Sequence, residues 1–403
     1  MSRIPITGIG VIAPGAIGVG AFRALLDHGT TAIGDVDRFD TAGLAAHKAA
    51  LVRDFKARDF IAPMKLRRMN TLSRYAVAAA RLAMDDSSAD PATLGTTGVA
   101  LGTSFGPVQT SVEYMQEYVE KGAALAPPQL FAESVANAPG SHIAIEWGFR
   151  GFNITVTQRE SSALAAAMYA ASQLVKGTVD AAVMGGVEEV NEMIFSVLDR
   201  IGALAHRCDG MDEALRPFDR RRNGLLLGEG SAVIFCGPGG AKARAPYAWF
   251  SGFGVGRDGT AAISDWGEGD DAVVETMRRA IEDAELATSD ISAVYASANG
   301  SRRCDRLEYL ALQKLFGDRM PPVVATKGCF GEYAAGGALQ LVAAILAIAD
   351  QVLHASCGFS ERDPEMRFEP NSERREAKLD HVLVSSLSAG GGIVSAVLSR
   401  EAG

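Results

Sequence analysis

A single acidic side chain stands where the sequence predicts the start of a buried helix. Residues 154–157 form a β-branched run that predicts a short strand. Apolar residues then recur at helical spacing from Ser161 until Gly177 ends the helix. Unpaired backbone N–H groups and the helix dipole at such a start favour a negative charge. The candidate reactive group is therefore the carboxyl of Glu160.

Strands and helices alternate around this segment and again in the second half of the chain. In the first half, predicted strands lie at 98–104, 181–184 and 231–235, with helices at 71–84 and 108–121. In the second half, predicted strands lie at 247–254, 293–297, 323–326, 381–387 and 392–398, with helices at 271–284, 306–316 and 333–349. This alternation predicts parallel-rich sheets with helices on both faces. The glycine-rich run 237–240 is the expected boundary between two domains, residues 1–240 and 241–403.

Two motifs carry a resemblance to the β-ketoacyl synthases of the thiolase superfamily. The first is Gly-x-x-Asp-x-x-x-x-Gly-Gly-x-Glu at 177–188, which follows the Glu160 helix. The second is Arg-Pro-Phe-Asp at 216–219, followed by Gly-Glu-Gly at 228–230. The resemblance implies the thiolase-like α/β fold, in which two similar halves form a layered α-β-α-β-α architecture.

The resemblance also implies which family residues this chain has replaced. Glu160 falls at the position of the family's nucleophilic Cys, and Asn299 and Glu332 fall at the positions of its two His. Lys327 matches the family's Lys. Decarboxylative condensation needs a thiol of low pKa and imidazole N–H groups that stabilise the developing negative charge. We therefore expect neither ketosynthase activity nor that of the decarboxylase variants of the fold, which keep both histidines.

The resemblance is fullest to the chain-length factors, the non-condensing subunits of type II polyketide ketosynthase heterodimers. These proteins also lack the Cys and the same histidines, and they keep the Pro-Phe-Asp and Gly-Glu-Gly framework. In this interpretation the partner's Cys performs the chemistry, while this chain shapes the far end of the partner's acyl tunnel. Glu160 departs from the family, in which Gln is the common residue at this position.

A second interpretation is an enzyme of another kind on the same fold. Two carboxylates that converge cannot both ionise easily, so one of the two pKa values would rise. Glu160 and Glu332 could then act as an acid–base pair in dehydration, isomerisation or cyclisation of a carrier-bound polyketide, with Asn299 as an oxyanion donor. Simple ion pairing of the two glutamates with Lys327 or an arginine is the plainer account. A structural or regulatory homodimer is a third possibility.

Further site residues follow from the resemblance. Tyr114, Leu130 and Phe131 are expected at the subunit interface and in the acyl tunnel. Ser388 and Ala389 stand where ketosynthases carry a gating Phe.

The basic residues Lys65, Arg67 and Arg68, together with Arg207, match the surface on which ketosynthases bind an acidic acyl carrier protein. The implied partners are that carrier and either an active ketosynthase subunit or a second copy of this chain. Phosphopantetheine is expected only as part of the carrier-bound substrate, with no metal and no other cofactor.

Net charge, apolar runs and cysteine spacing exclude several other classes of protein. The formal net charge of −9 argues against a nucleic-acid partner. No apolar run approaches the roughly 18 residues needed to cross a bilayer, and the N-terminus lacks the pattern of a secretory signal. The five cysteines are scattered without metal-binding spacing. These features predict a cytoplasmic protein.

Overall fold

Two six-stranded sheets form the framework of this protein in the computed structural model, which describes residues 2–240 and 245–401. The strands are β1 (Ile4–Ile6), β2 (Gly8–Ala13), β3 (Ala16–Ile17), β4 (Ile33–Asp35), β5 (Lys48–Ala50), β6 (Thr97–Gly102), β7 (Asn153–Val156), β8 (Ala181–Glu188), β9 (Gly230–Cys236), β10 (Ala248–Arg257), β11 (Ala293–Tyr295), β12 (Val323–Val324), β13 (Val352–Leu353), β14 (Arg375–Glu376), β15 (His381–Leu387) and β16 (Gly392–Ser399).

The α-helices are α1 (Val19–His28), α2 (Pro63–Leu66), α3 (Thr71–Ser87), α4 (Val108–Lys121), α5 (Pro128–Glu133), α6 (Ala138–Trp147), α7 (Ser162–Val175), α8 (Glu192–Arg200), α9 (Asp270–Asp283), α10 (Arg302–Phe316), α11 (Lys327–Phe330) and α12 (Ala338–Asp350). Short 3₁₀ turns lie at Ala57–Asp59, Arg159–Ser161, Thr288–Asp290, Gly317–Arg319 and Ala334–Gly337.

The two large sheets share one pattern of strand directions. Their strand orders are β3-β2-β9-β8-β6-β7 and β1-β10-β16-β15-β11-β12. In each order the first three pairings are antiparallel and the last two are parallel. The two similar halves are therefore confirmed, but the prediction of parallel-rich sheets is wrong. The sheets are mixed because β9 and β16 each enter the middle of a sheet antiparallel to both neighbours.

Helices form three layers around the two sheets. The residues of α7 and α12 are apolar almost all round, and both helices lie in the middle layer, where each contacts strands of both sheets. Helix α3 covers the outer face of the first sheet, and α9 covers the outer face of the second. This arrangement confirms the predicted α-β-α-β-α architecture.

The N-terminal strand crosses from one half of the molecule to the other. Strand β1 pairs with β10, so residues 4–6 belong to the second sheet although the next strand, β2, belongs to the first. The predicted domain boundary adjoins residues 241–244, which lie outside the described residues, so the division at 240 stays a prediction. Within the described residues no helix is long and apolar enough to cross a membrane.

Candidate functional site

Glu160 lies in the 3₁₀ turn between β7 and α7, two residues before the helix begins, and its side chain is buried. The strained residue of this turn is its neighbour Arg159, whose φ of 47° falls in the left-handed region. The hydroxyl groups of Ser104 and Ser162 both donate hydrogen bonds to the Arg159 carbonyl oxygen. These two bonds hold the turn in the conformation that presents Glu160 to the interior.

Glycines let the end of β6, the end of β8 and the turn Ala334–Gly337 pack closely around the start of α7. A Cβ atom on Gly102 would lie 2.3 Å from the backbone nitrogen of Ala163, at the start of α7. A Cβ atom on Gly186 would lie 2.1 Å from the carbonyl oxygen of Ala335. Because no other residue type fits at these contacts, the ends of β6 and β8 pack directly against the helix start and the turn Ala334–Gly337.

Both oxygens of the Glu160 carboxyl have hydrogen-bond partners inside the protein. The Tyr333 hydroxyl donates to Oε1 at 2.9 Å, and the Ala389 backbone N–H donates to Oε2 at 3.1 Å. Burial raises the pKa of Glu160 to about 7, and the negative charge of Glu332 acts in the same direction. Among the described residues no lysine or arginine forms an ion pair with Glu160.

Glu332 is held differently, by a buried ion pair. Its Oε2 atom accepts hydrogen bonds from Lys327 Nζ at 2.8 Å and from Asn299 Nδ2 at 2.7 Å. Burial opposes the charge of Lys327, but the attraction of Glu332 together with that of Cys304 and Glu160 outweighs it, and the pKa of Lys327 lies above its ordinary value. The plain ion-pair account therefore describes Glu332, whereas Glu160 depends on neutral hydrogen-bond donors.

Two acidic residues of α10 position Asn299. Asp305 Oδ1 accepts hydrogen bonds from the backbone N–H of Asn299 at 2.9 Å and of Gly300 at 3.2 Å. Glu308 accepts from the N–H groups of Ser297 and Ala298, each at 2.8 Å. The i, i+3 spacing of Asp305 and Glu308 places both on one face of α10, which is a signal that the sequence already contained.

Tyr333 is the site residue that the sequence analysis missed. Its ring packs edge-on against Phe105, with the ring centroids 4.9 Å apart, and its hydroxyl reaches Glu160. Tyr333 has a φ of 64°, so the chain turns sharply at this residue instead of continuing as a helix. The residue follows Glu332 directly in the sequence, and only the left-handed backbone turns its ring toward Glu160.

Ser388 and Ala389 lie against the Glu160 turn, in the connection between β15 and β16. The Ser388 hydroxyl donates to the Gln158 carbonyl oxygen at 2.7 Å and accepts from the Ser161 backbone N–H at 3.0 Å. The structure thus brings together Glu160, Asn299, Lys327, Glu332, Ser388 and Ala389, from both halves of the chain.

The cluster is sealed from solvent. Glu160, Asn299, Lys327, Glu332 and Tyr333 are each no more than 2% exposed.

A nearby cavity of about 370 Å³ ends beside the cluster. It is lined in part by Asn223, Trp266, Ser301 and Arg302. The Ser301 backbone N–H donates to Asn299 Oδ1 at 3.0 Å, so the cavity wall lies two residues from Asn299. The lining of this cavity does not include Glu160 or Glu332.

The remaining predicted residues lie outside the cluster. The rings of Tyr114 on α4 and Phe131 on α5 pack together with centroids 5.6 Å apart, and Phe131 is 57% exposed. Leu130 is half-buried beside Phe131. These side chains belong to a helical surface that also exposes Met115 and Val119.

The four basic residues are exposed, as carrier contacts need to be. Lys65 Nζ lies 2.5 Å from a carboxylate oxygen of Glu146, and Arg67 and Arg68 follow α2. The guanidinium of Arg207 lies 3.3 Å from a carboxylate oxygen of Asp212, and its side chain is 73% exposed.

Two mixed sheets of matching topology, enclosing a helical layer with one buried polar site at its edge, define a thiolase-like fold. Models of the β-ketoacyl synthase N-terminal and C-terminal domains match residues 1–236 and 247–360. The chain belongs to the β-ketoacyl synthase family.

Relatives of the chain include type II polyketide ketosynthases. The tetracenomycin polyketide synthase ketoacyl synthase alpha subunit of Streptomyces glaucescens is 31% identical over 416 residues, which cover 99% of this chain and 97% of that protein. The ishigamide ketosynthase/chain length factor structure superposes with a TM-score of 0.90 at 27% identity and covers 99% of both chains. The type II ketosynthase AntDE, solved with the acyl carrier protein AntF, gives a TM-score of 0.88 and covers 99% of this chain and 100% of its own. Its 19% identity shows the fold alone.

Proposed function

We propose that this chain is a non-condensing, chain-length-factor-type subunit, which pairs with an active ketosynthase and shapes that partner's acyl tunnel. One observation carries the proposal: the residue at the buried helix start is a carboxylic acid with both oxygens already bonded inside the protein. We infer that Glu160 stands in place of the family's Cys, and Asn299 and Glu332 in place of its two His.

The chemistry of condensation supports this proposal. An acyl chain is accepted from a thioester by a thiolate, and a carboxyl with a pKa of about 7 is a poor substitute. Cys304 is the thiol that interacts electrostatically with Lys327 and Glu332, but burial raises its pKa well above the ordinary value. Glu332 accepts hydrogen bonds where an imidazole N–H would donate one, so it cannot stabilise an enolate that developed beside it.

The acid–base interpretation is supported by one feature of the site and opposed by another. The raised pKa of Glu160 suits a general acid that works near neutral pH. However, a substrate needs access to the carboxyl, and Glu160 is buried with each of its oxygens already accepting a hydrogen bond, from Tyr333 or from Ala389. Glu332 is likewise engaged by Lys327 and Asn299. We keep this enzyme as the second candidate and favour the chain-length factor.

An apolar groove on the surface supports a role in shaping an acyl tunnel. The groove has a volume of about 540 Å³ and runs between α4 and α8. Val108, Val112, Met115, Val119 and Met193 supply most of its lining. Methylene chains bind such surfaces through the hydrophobic effect, and exposed apolar faces of this kind mark contact sites. The groove is therefore our candidate for the wall that this subunit contributes.

The carrier protein is the second proposed partner. The cations Lys65, Arg67, Arg68 and Arg207 remain exposed on a chain of net charge −9, which suits an acidic partner. The AntDE ketosynthase, a relative in fold, was solved with an acyl carrier protein. Phosphopantetheine would reach this complex only on the carrier.

The test is reconstitution with the active ketosynthase and the carrier protein that we expect to be encoded beside this chain. Wild-type protein and the Glu160→Gln variant are each co-purified with that ketosynthase, and the chain lengths of the products are compared. We expect a heterodimer in both cases and the same products, because the partner's Cys performs every covalent step.

Two outcomes would refute the proposal. One is an independent homodimer that converts a carrier-bound substrate and loses this activity in Glu160→Gln, which would establish the acid–base enzyme. The other is unchanged product length when the groove residue Met115 is replaced by Trp. The matched control is Val255→Trp, which alters an exposed valine on β10, outside the groove, and should leave product length unchanged.

A further inference from the structure

Two of the five cysteines lie on chain segments that pack against each other. Cys329 lies in α11, and Cys357 lies in the segment that follows β13. Both side chains belong to the same buried hydrophobic cluster. The two backbones are in contact, because a Cβ atom on Gly328 would lie 2.0 Å from the Cys357 carbonyl oxygen. The packing of two chain segments therefore holds this pair of thiols together.

The two thiols differ in access and in acidity. Cys357 is 6% exposed, whereas Cys329 is fully buried. The interaction with Cys329 lowers the pKa of Cys357, and the interaction with Cys357 together with burial raises the pKa of Cys329. Because a thiolate is the attacking species in disulfide exchange, Cys357 reacts first and Cys329 resolves.

We propose that Cys329 and Cys357 form a reversible disulfide in the folded protein when it meets a low-molecular-weight disulfide such as oxidised glutathione. The Cys357 thiolate attacks one glutathione sulfur, breaks the glutathione disulfide and expels one glutathione thiolate. The Cys329 thiolate then attacks the Cys357 sulfur of the mixed disulfide and expels the second. The protein pair loses two electrons and two protons, and both are gained by the two glutathione molecules.

The position of the bond gives it a structural consequence. Helix α11 carries Lys327 and leads to Glu332, the two partners of the buried ion pair. The segment that carries Cys357 is anchored elsewhere, since a Cβ atom on Gly358 would lie 2.1 Å from the Leu215 carbonyl oxygen. A disulfide would tie α11 to this anchored segment. Amide hydrogen exchange in residues 327–332 should therefore slow on oxidation.

Trypsin offers a direct assay of this bond. No lysine or arginine occurs between residues 328 and 362, so a single tryptic peptide contains both cysteines. The folded protein is equilibrated with oxidised and reduced glutathione and unfolded in guanidinium with N-ethylmaleimide. It is then digested without reduction. We expect this peptide to be lighter by about 2 Da than the reduced, unalkylated peptide, because two hydrogens are lost and no thiol is left to alkylate.

Variants separate this pair from the other thiols. In Cys329→Ser the reaction should end at a mixed disulfide between Cys357 and glutathione. In Cys357→Ser no glutathione adduct should form on Cys329. The control Cys304→Ser removes another buried thiol and should leave the intrapeptide disulfide intact. The proposal is overturned if wild-type peptide carries two N-ethylmaleimide groups after exposure to excess oxidised glutathione. It is equally overturned if the disulfide forms only when the protein is unfolded before oxidation.

Discussion

Replacing Glu160 with Gln should change how the free energy of unfolding depends on pH. Burial raises the pKa of this carboxyl from an ordinary value of 4.5 to about 7 in the folded chain. Between these values the folded state keeps a proton that the unfolded state has lost, so the free energy of unfolding falls as pH rises. The free energy of unfolding changes by about 1.4 kcal/mol for each pH unit in this range. Raising the pH through both pKa values therefore costs the wild type about 3 kcal/mol of stability, and the Gln variant, which has no proton to lose here, does not show this loss.

The assay is urea unfolding of both proteins at a series of pH values from 4.5 to 8. Other buried carboxyls with raised pKa values, such as Glu188 and Glu308, titrate in both proteins and cancel from the difference. Between pH 4.5 and 8, the unfolding free energy of the variant minus that of the wild type should rise by about 3 kcal/mol. This change is expected whichever protein is the more stable at pH 4.5. Parallel stability curves for the two proteins would refute the reasoning, because they would mean that Glu160 titrates as it does in the unfolded chain.

Three further predictions concern the ion pair and the surfaces. Lys327→Met should cost about 3–5 kcal/mol of unfolding free energy in urea, since it leaves Glu332 charged and buried, and adding Glu332→Gln should restore most of the loss. A double variant no more stable than the single would contradict this. Val119→Asp, at a side chain 75% exposed, should change chain stability by less than about 0.5 kcal/mol and still abolish co-purification with the ketosynthase. The control Val255→Asp should keep the complex, and survival of the complex in Val119→Asp would exclude the groove from the interface. Arg67→Glu should weaken carrier binding and reduce its salt dependence in titrations at two ionic strengths, and unchanged affinity would place the carrier elsewhere.

Local sequence patterns predicted the elements around Glu160 well. The predicted strand at 154–157 is β7 (Asn153–Val156), and the helix expected between Ser161 and Gly177 is α7 (Ser162–Val175). Both follow from features within a few residues, namely a β-branched run, helical spacing and a terminating glycine.

The direction and order of the strands could not be predicted from the same patterns. Strand β1 pairs with β10, so residues 4–6 bond to a partner more than 240 positions away. Strand β9 lies antiparallel to both β2 and β8. Periodicity indicates that a strand exists and how deeply it is buried, whereas its neighbours depend on long-range packing.

Tyr333 shows why part of the site escaped prediction. The apolar spacing from 333 to 349 predicts one helix, but α12 begins only at Ala338, after the turn Ala334–Gly337. Tyr333 and Ala335 adopt φ values of 64° and 55°, which side-chain-bearing residues seldom adopt. This turn fits because Gly186 leaves room for its backbone. Since the room depends on a glycine more than 140 residues away, a local pattern around 333 could not have revealed it.

The hydrogen bonds of the two buried glutamates also indicate what this site does. A reaction centre presents a donor or acceptor to its substrate. Here both carboxyls are buried and already accept hydrogen bonds inside the protein, Glu160 from Tyr333 and Ala389, and Glu332 from Lys327 and Asn299. These bonds join the 3₁₀ turn before α7, the loop between β11 and α10, helix α11 with the residues that follow it, and the connection between β15 and β16, which come from both halves of the chain. Burying two carboxyls this close is costly, and the cost is offset only when every partner is in place. The cluster therefore joins the two halves, and this structural role supports the proposal of a non-condensing subunit.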